Sequence, residues 1–88
     1  EHEAESVLAK KILQFPEAVE EAAARLEPHV LAEYLFALAG EFNRFYGQCP
    51  VLKAEEPERS ARLFLTLKTA ETLKHGLHLL GIKTPERM

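Results

Sequence analysis

The sequence predicts an all-α fold, an antiparallel bundle of four to five helices in one domain spanning residues 1–88. Three observations predict it. Apolar residues recur at three- and four-residue steps along nearly the whole chain, the period of a one-sided helix. No segment alternates with a period of two, as a half-buried strand would. Prolines at 16, 28, 50 and 57 divide the helical pattern into pieces of bundle length.

The first piece carries Ala4, Leu8, Ile12 and Phe15 on one stripe, with Ser6 as a candidate cap. Pro16 breaks it and suits the first turn of a second helix, because the amide it lacks has no helical partner there. Glu17 adds a carboxylate near that helix's positive end. Val19, Ala22, Ala23 and Leu26 form its apolar face, and Ala22 to Ala24 allow close approach of a neighbour. Pro28 opens a third helix, with Leu31, Leu35, Leu38, Phe42 and Phe45 on its core stripe. Tyr34, Phe36, Ala39 and Gly40 widen that arc beyond half the surface, which predicts the central helix, packed on more than one side. Gly47 and Pro50 mark its end. After a polar loop from Lys53 to Pro57, a fourth helix carries Leu63, Leu67, Ala70, Leu73, Leu77 and Leu80 as its expected core stripe. Gly76 within it costs about 1 kcal/mol against alanine in an exposed helix, so a helix–helix contact is expected there. Gly81 is read as a left-handed cap, with Ile82 folding back.

Apolar residues make up 47% of the chain, enough for a packed core, and no long apolar run or leader pattern is present. A soluble, cytoplasmic protein without membrane contact is expected. A single cysteine, Cys49, cannot build a disulfide framework and reads as a small apolar filler. The net charge is −3, but unevenly spread. Residues 1–41 set three cations against nine glutamates, a net −6; residues 42–88 set eight cations against five glutamates, a net +3. A polyanion would meet the second half, leaving the acidic first half for another partner.

Catalysis is not expected. The chain has no aspartate and no glycine-rich phosphate loop, and no pair of glutamates is clearly forced into a core. His75 and His78 share a helix face, but two histidines without a matching third ligand read as a solvated pair, and no metal is expected. His2 and His29 stand alone.

The run Phe42-Asn43-Arg44-Phe45-Tyr46-Gly47-Gln48-Cys49-Pro50-Val51-Leu52 sets three rings around an arginine and an asparagine at a helix end. Such rings either plug a core or stack on unpaired bases. The register divides them: Phe45 lies on the core stripe, Tyr46 one residue off it at the rim, and Phe42 at the boundary. Arg62, Lys68, Lys74 and Arg87 are candidate phosphate contacts, with Arg44 among the rings.

The stretch Leu31 to Gly40, followed by Phe42-Asn43-Arg44-Phe45-Tyr46 and Cys49-Pro50-Val51-Leu52, resembles the C-terminal anticodon-binding domain of arginyl-tRNA synthetases. Ala61-Arg62-Leu63, the run Thr72 to Ile82, and the ending Pro85-Glu86-Arg87-Met88 are similar to that family's last helix and carboxy terminus. The DALR tetrapeptide that names this bundle is not literally present; its nearest counterpart is Ser60-Ala61-Arg62-Leu63. Related bundles occur in cysteinyl and bacterial glycyl synthetases. The resemblance implies a domain that grips the anticodon stem-loop of arginine tRNA, with positions matching Phe42, Tyr46 and Met88 meeting the loop bases. It implies a parent that joins arginine to tRNA with ATP and Mg in a catalytic domain linked in cis. The HIGH-type and KMSKS-type signatures of that chemistry are absent from these 88 residues, so this fragment is expected to bind without catalysing and to hold no cofactor of its own. The alternative is a helical module that docks on protein.

Overall fold

A computed structural model of the chain describes residues 2–49 and 55–83. Four helices occupy them: α1 (Glu3–Leu13), α2 (Phe15–Arg25), α3 (Pro28–Gln48) and α4 (Glu58–Lys83). None is long and apolar enough to cross a membrane.

Of the four helices, α1 and α2 follow one another almost without a break. Gln14 both ends α1 and precedes α2, in right-handed helical geometry (φ −83°, ψ −3°). Pro16 has no N–H to offer the Ile12 carbonyl, so the helix bends there and restarts. The bend turns the Lys11 carbonyl toward α3, where the Tyr34 hydroxyl donates to it. The paired rods α1–α2 thus run back along α3. Glu3 meets Arg44 at one end and Lys11 meets Tyr34 near the other, an antiparallel register.

As expected, α3 is central and touches each of the other helices. Leu31, Leu35, Leu38 and Phe45 are buried, with Phe42 partly so. On α1, Ala4 and Leu8 are buried and Ile12 and Phe15 pack against them, also as the spacing predicts.

Four sequence expectations are corrected. The cap of α1 is His2 rather than Ser6: its Nδ1 accepts the Ala4 N–H at 2.9 Å while the Glu5 carboxylate accepts the His2 N–H at 3.3 Å. Leu26 does not join the face of α2. It adopts the left-handed conformation (φ 54°, ψ 40°) that closes the helix, and its side chain is exposed. Gly81 is helical, with no glycine at positive φ among the described residues, so α4 runs on to Lys83.

The fourth correction concerns the inner face of α4. Leu63, Leu67, Ala70 and Leu77 are exposed. The residues facing the core are Thr69, Thr72 and Gly76, flanked by Leu65, Leu73, Leu79 and Leu80. Each buried hydroxyl finds its partner inside its own helix: Thr69 Oγ1 donates to the Leu65 carbonyl and Thr72 Oγ1 to the Lys68 carbonyl, both at 2.8 Å. A threonine satisfied in this way brings its methyl to the core with no unpaired polar atom. Gly76 lets α3 come close, since a Cβ there would lie 2.6 Å from Leu35 Cδ2. The helix–helix contact expected of this glycine is therefore present.

Candidate nucleic-acid interface

The last two turns of α3 and the first turn of α1 form one end of the molecule, and the aromatic run lies there. Cys49 ends α3, its N–H donating to the Phe45 carbonyl at 2.8 Å. Phe45 and Cys49 are fully buried and plug this end. Phe42 is half-buried beside them, its ring centroid 5.9 Å from that of Phe45. Tyr46 is 65% exposed, and its ring lies 5.9 Å from Phe42 with the planes 31° apart. Core plug, boundary ring and rim ring occupy the places the helical register predicts. The outer two form a tilted aromatic shelf backed by the core, with one open face. Flat rings fixed in this way can stack on an unpaired base at little entropic cost.

The candidate cations are placed unevenly around that shelf. Arg44 precedes Tyr46 by two residues, so at about 100° per residue it projects roughly 160° away from it. Its guanidinium meets Glu41 at 3.5 Å and Glu3 at 4.0 Å. Arg62 is drawn inward, where its Nε donates to the Glu5 carboxylate across the α1–α4 interface. Lys68 is partly exposed and pairs with Glu71 at 3.2 Å. Lys74 is exposed and in no ion pair among the described residues. With Gly76 set against Leu35, Lys74 lies level with about residue 37 of α3, roughly 13 Å along the bundle from Tyr46 at ~1.5 Å per residue. Met88 and Arg87, the remaining candidates, lie outside the described residues, as does the turn over residues 50–54.

Sequence reasoning missed Glu5. Burial pushes its carboxyl up, but the Arg62 hydrogen bond, the His2 N–H and the Arg62 charge outweigh that and hold it below the usual carboxylate range. The nearby Cys49 thiol is pushed up by burial, with Arg62 working the other way. Two signals in the sequence could have found this junction. Glu5 follows His2 by three residues, the capping-box spacing. Arg62 lies on the same side of its helix as Thr69 and Gly76. The acidic first half and the basic second half are therefore joined at this end by the Glu5–Arg62 pair.

His75 and His78 are exposed, and His75 lies against the Phe15 ring at 5.3 Å. Among the described residues no group of three or more histidines, cysteines or carboxylates is placed to hold a metal ion.

The family profile of the DALR anticodon binding domain matches residues 1–88 of this helical bundle. The chain belongs to the DALR anticodon binding domain family. Its relatives are more particular: the chain is 55% identical over 84 residues to the arginine–tRNA ligase of Mannheimia succiniciproducens, covering 96% of this chain and 15% of that protein. It is 56% identical over 84 residues to the arginine–tRNA ligase of Hahella chejuensis, covering 96% of this chain and 14% of that protein. Against the arginine–tRNA ligase of Nostoc punctiforme it is 51% identical over 88 residues, all of this chain and 15% of the relative. The chain thus spans about 15% of the length of the curated relatives it matches.

Proposed function

We propose that this chain is the anticodon-binding domain of an arginine–tRNA ligase and that it grips the anticodon stem-loop of arginine tRNA. The observation that carries the proposal is the DALR match along the whole chain, joined to relatives of one specificity at just over 50% identity. In this reading the domain binds and does not catalyse. ATP, with Mg, activates arginine in a catalytic domain of the same polypeptide, in the cytoplasm.

Tyr46 and Phe42 stack on bases of the loop, with Tyr46 the principal platform because its face is open. Met88 and Arg87 join them from the tail, on the strength of the sequence resemblance. Arg44 and Lys68 contact phosphate by exchanging their glutamate partners for it. Arg62 fixes the bundle end on which the shelf stands. Lys74, exposed and about 13 Å farther along the bundle, meets a phosphate beyond the stacked bases.

The test is a titration of the purified chain with an arginine anticodon stem-loop and with a loop altered at the middle anticodon base. The arginine loop should bind more tightly. Tyr46→Ala should weaken binding by about 5- to 150-fold, the equivalent of the ~1–3 kcal/mol expected for one stacked base. Equal affinity for the two loops, or an unchanged Kd in Tyr46→Ala, would remove the shelf from recognition.

A further inference from the structure

Away from the shelf, α4 turns a basic strip to solvent. Lys74, His75 and His78 line one open depression together with Glu71, and all four are exposed. At about 100° per residue the three basic residues fall within roughly 100° of one another. Glu71 is the carboxylate among them, and Lys68 already holds it at 3.2 Å. Lys74 is in no ion pair among the described residues. His75 is fixed in place, its ring 5.3 Å from that of Phe15 on α2 with the planes 53° apart. Behind Phe15 stand Tyr34, its ring 6.0 Å away, and Lys11, whose Nζ lies 5.7 Å from the Tyr34 ring. The charged and titratable groups that these contacts place about the histidines are therefore Glu71 and Lys74 on their own helix and, across Phe15, Tyr34 and Lys11. Cations outnumber the one carboxylate, and that carboxylate is engaged with Lys68, so an anion that favours the histidinium form has to come from outside.

We propose that Lys74, His75 and His78 form a proton-linked grip on the phosphates of the anticodon stem, the paired segment behind the loop that the shelf receives. This deepens, and rests on, the stem-loop binding given under Proposed function. Three observations select a paired RNA backbone as the occupant. With Gly76 level with Leu35, the strip lies about 13–20 Å along the bundle from Tyr46 at ~1.5 Å per residue, beyond the stacked bases of the loop. Its lining is charged and imidazole with no apolar side chain, unlike the centre of a protein–protein contact. Its groups are point charges and ring N–H donors, which suit phosphate oxygens, and paired RNA is recognised mainly through its backbone and shape. Histidine changes charge between about pH 5 and 8, and its cationic form donates from both ring nitrogens. A phosphate at the strip favours that form, so binding takes up protons and affinity rises as pH falls.

The experiment measures the Kd of the purified chain for two RNA hairpins between pH 5.5 and 7.5 at fixed salt. One is the arginine anticodon stem-loop; the other keeps its stem and carries an unrelated loop. A phosphate that raises the pKa of one ordinary histidine by one unit tightens binding about fivefold between pH 7.5 and pH 5.5. The wild-type chain should therefore gain about five- to 25-fold with both hairpins, for one or two histidines engaged. The double variant His75→Gln/His78→Gln should hold a nearly constant Kd over this range. His78→Gln alone, a change at an exposed residue, should keep the wild-type Tm and lose part of the gain. Lys74→Gln should weaken both hairpins at every pH and leave the gain in place. A wild-type Kd independent of pH, or a gain that survives in the double variant, overturns the proposal. A gain confined to the arginine loop overturns it in favour of protons taken up by the loop bases. Failure of both hairpins to bind overturns it and leaves the strip to an acidic protein segment or to solvent. Equal affinity for the two hairpins would defeat the loop recognition of Proposed function, while the proton uptake carried by their shared stem stays separately readable.

Discussion

At Glu5 a single carboxylate serves two helices. One oxygen accepts the His2 N–H that opens α1, and the other accepts from Arg62 of α4. Its folded-state pKa lies below the ordinary 4.5, so the pair contributes stability that is fully present above that value. That contribution is lost as pH falls through the lower folded-state value. We therefore expect Glu5→Gln to lower Tm at neutral pH and to flatten the acid limb of a Tm-against-pH profile. A variant whose acid limb matches the wild type would show that other carboxylates control it. Tyr34 works in the opposite sense. Burial raises its pKa to about 12, so the folded state holds the phenolic proton longer than the unfolded chain does. Stability should fall between about pH 10 and 12. Tyr34→Phe should remove that alkaline dependence, at the cost of the hydroxyl's bond to Lys11.

Among the helices, two glycines have opposite meanings. A Cβ at Gly40 would meet nothing within 4 Å, so this exposed position carries only the conformational penalty of glycine. Gly40→Ala should stabilise the chain by about 0.5–1 kcal/mol in urea denaturation. A Cβ at Gly76 would press on Leu35 at 2.6 and 2.8 Å. Leu35 is buried, so its side chain can yield only by moving its neighbours. Overpacking of this kind costs about 1–3 kcal/mol, which outweighs the ~1 kcal/mol gained in helix propensity. Gly76→Ala should be net destabilising, and a gain in stability there would show that Leu35 has room to turn. The two faces of α4 carry the same lesson. Periodicity selects a stripe of which Leu63, Leu67 and Leu77 face outward while Leu73 and Leu80 pack against the core. The centre of the inner face is written in Thr69, Thr72 and Gly76, whose fitness for a core depends on a hydroxyl bonded within its own helix and on a neighbour's approach.

Over the whole molecule, a chain of net charge −3 is proposed to bind a polyanion, and the end that would do so has its arginines paired with glutamates. Affinity should therefore come from stacking more than from phosphate neutralisation. The logarithm of the stem-loop binding constant should fall with the logarithm of salt at a slope of about −1 to −2, corresponding to roughly two or three phosphates on a single strand. A slope steeper than about −4 would place the binding cations elsewhere. The predicted division into an acidic half and a basic half is crossed at this end of the bundle, where Arg62 pairs with Glu5, while Lys68 and Lys74 remain at the surface. The left-handed turn at Leu26 reverses the chain, so α2 and α1 run antiparallel to α3 and carry Glu3 and Glu5 to the same end as Arg44 and Arg62.

By itself the sequence determined the helical class, the breaks at Pro16 and Pro28, the core stripe of α3 and the division of Phe42, Phe45 and Tyr46 among boundary, core and rim. These follow from local sterics and a fixed helical period, which depend on near neighbours in the chain. The family resemblance rests equally on ordered residues. Tertiary structure alone decided which residues of α4 turn inward and that Arg62 belongs to Glu5. Those outcomes depend on which surfaces meet across dozens of residues, and a repeat of leucines carries no record of the helix it will face.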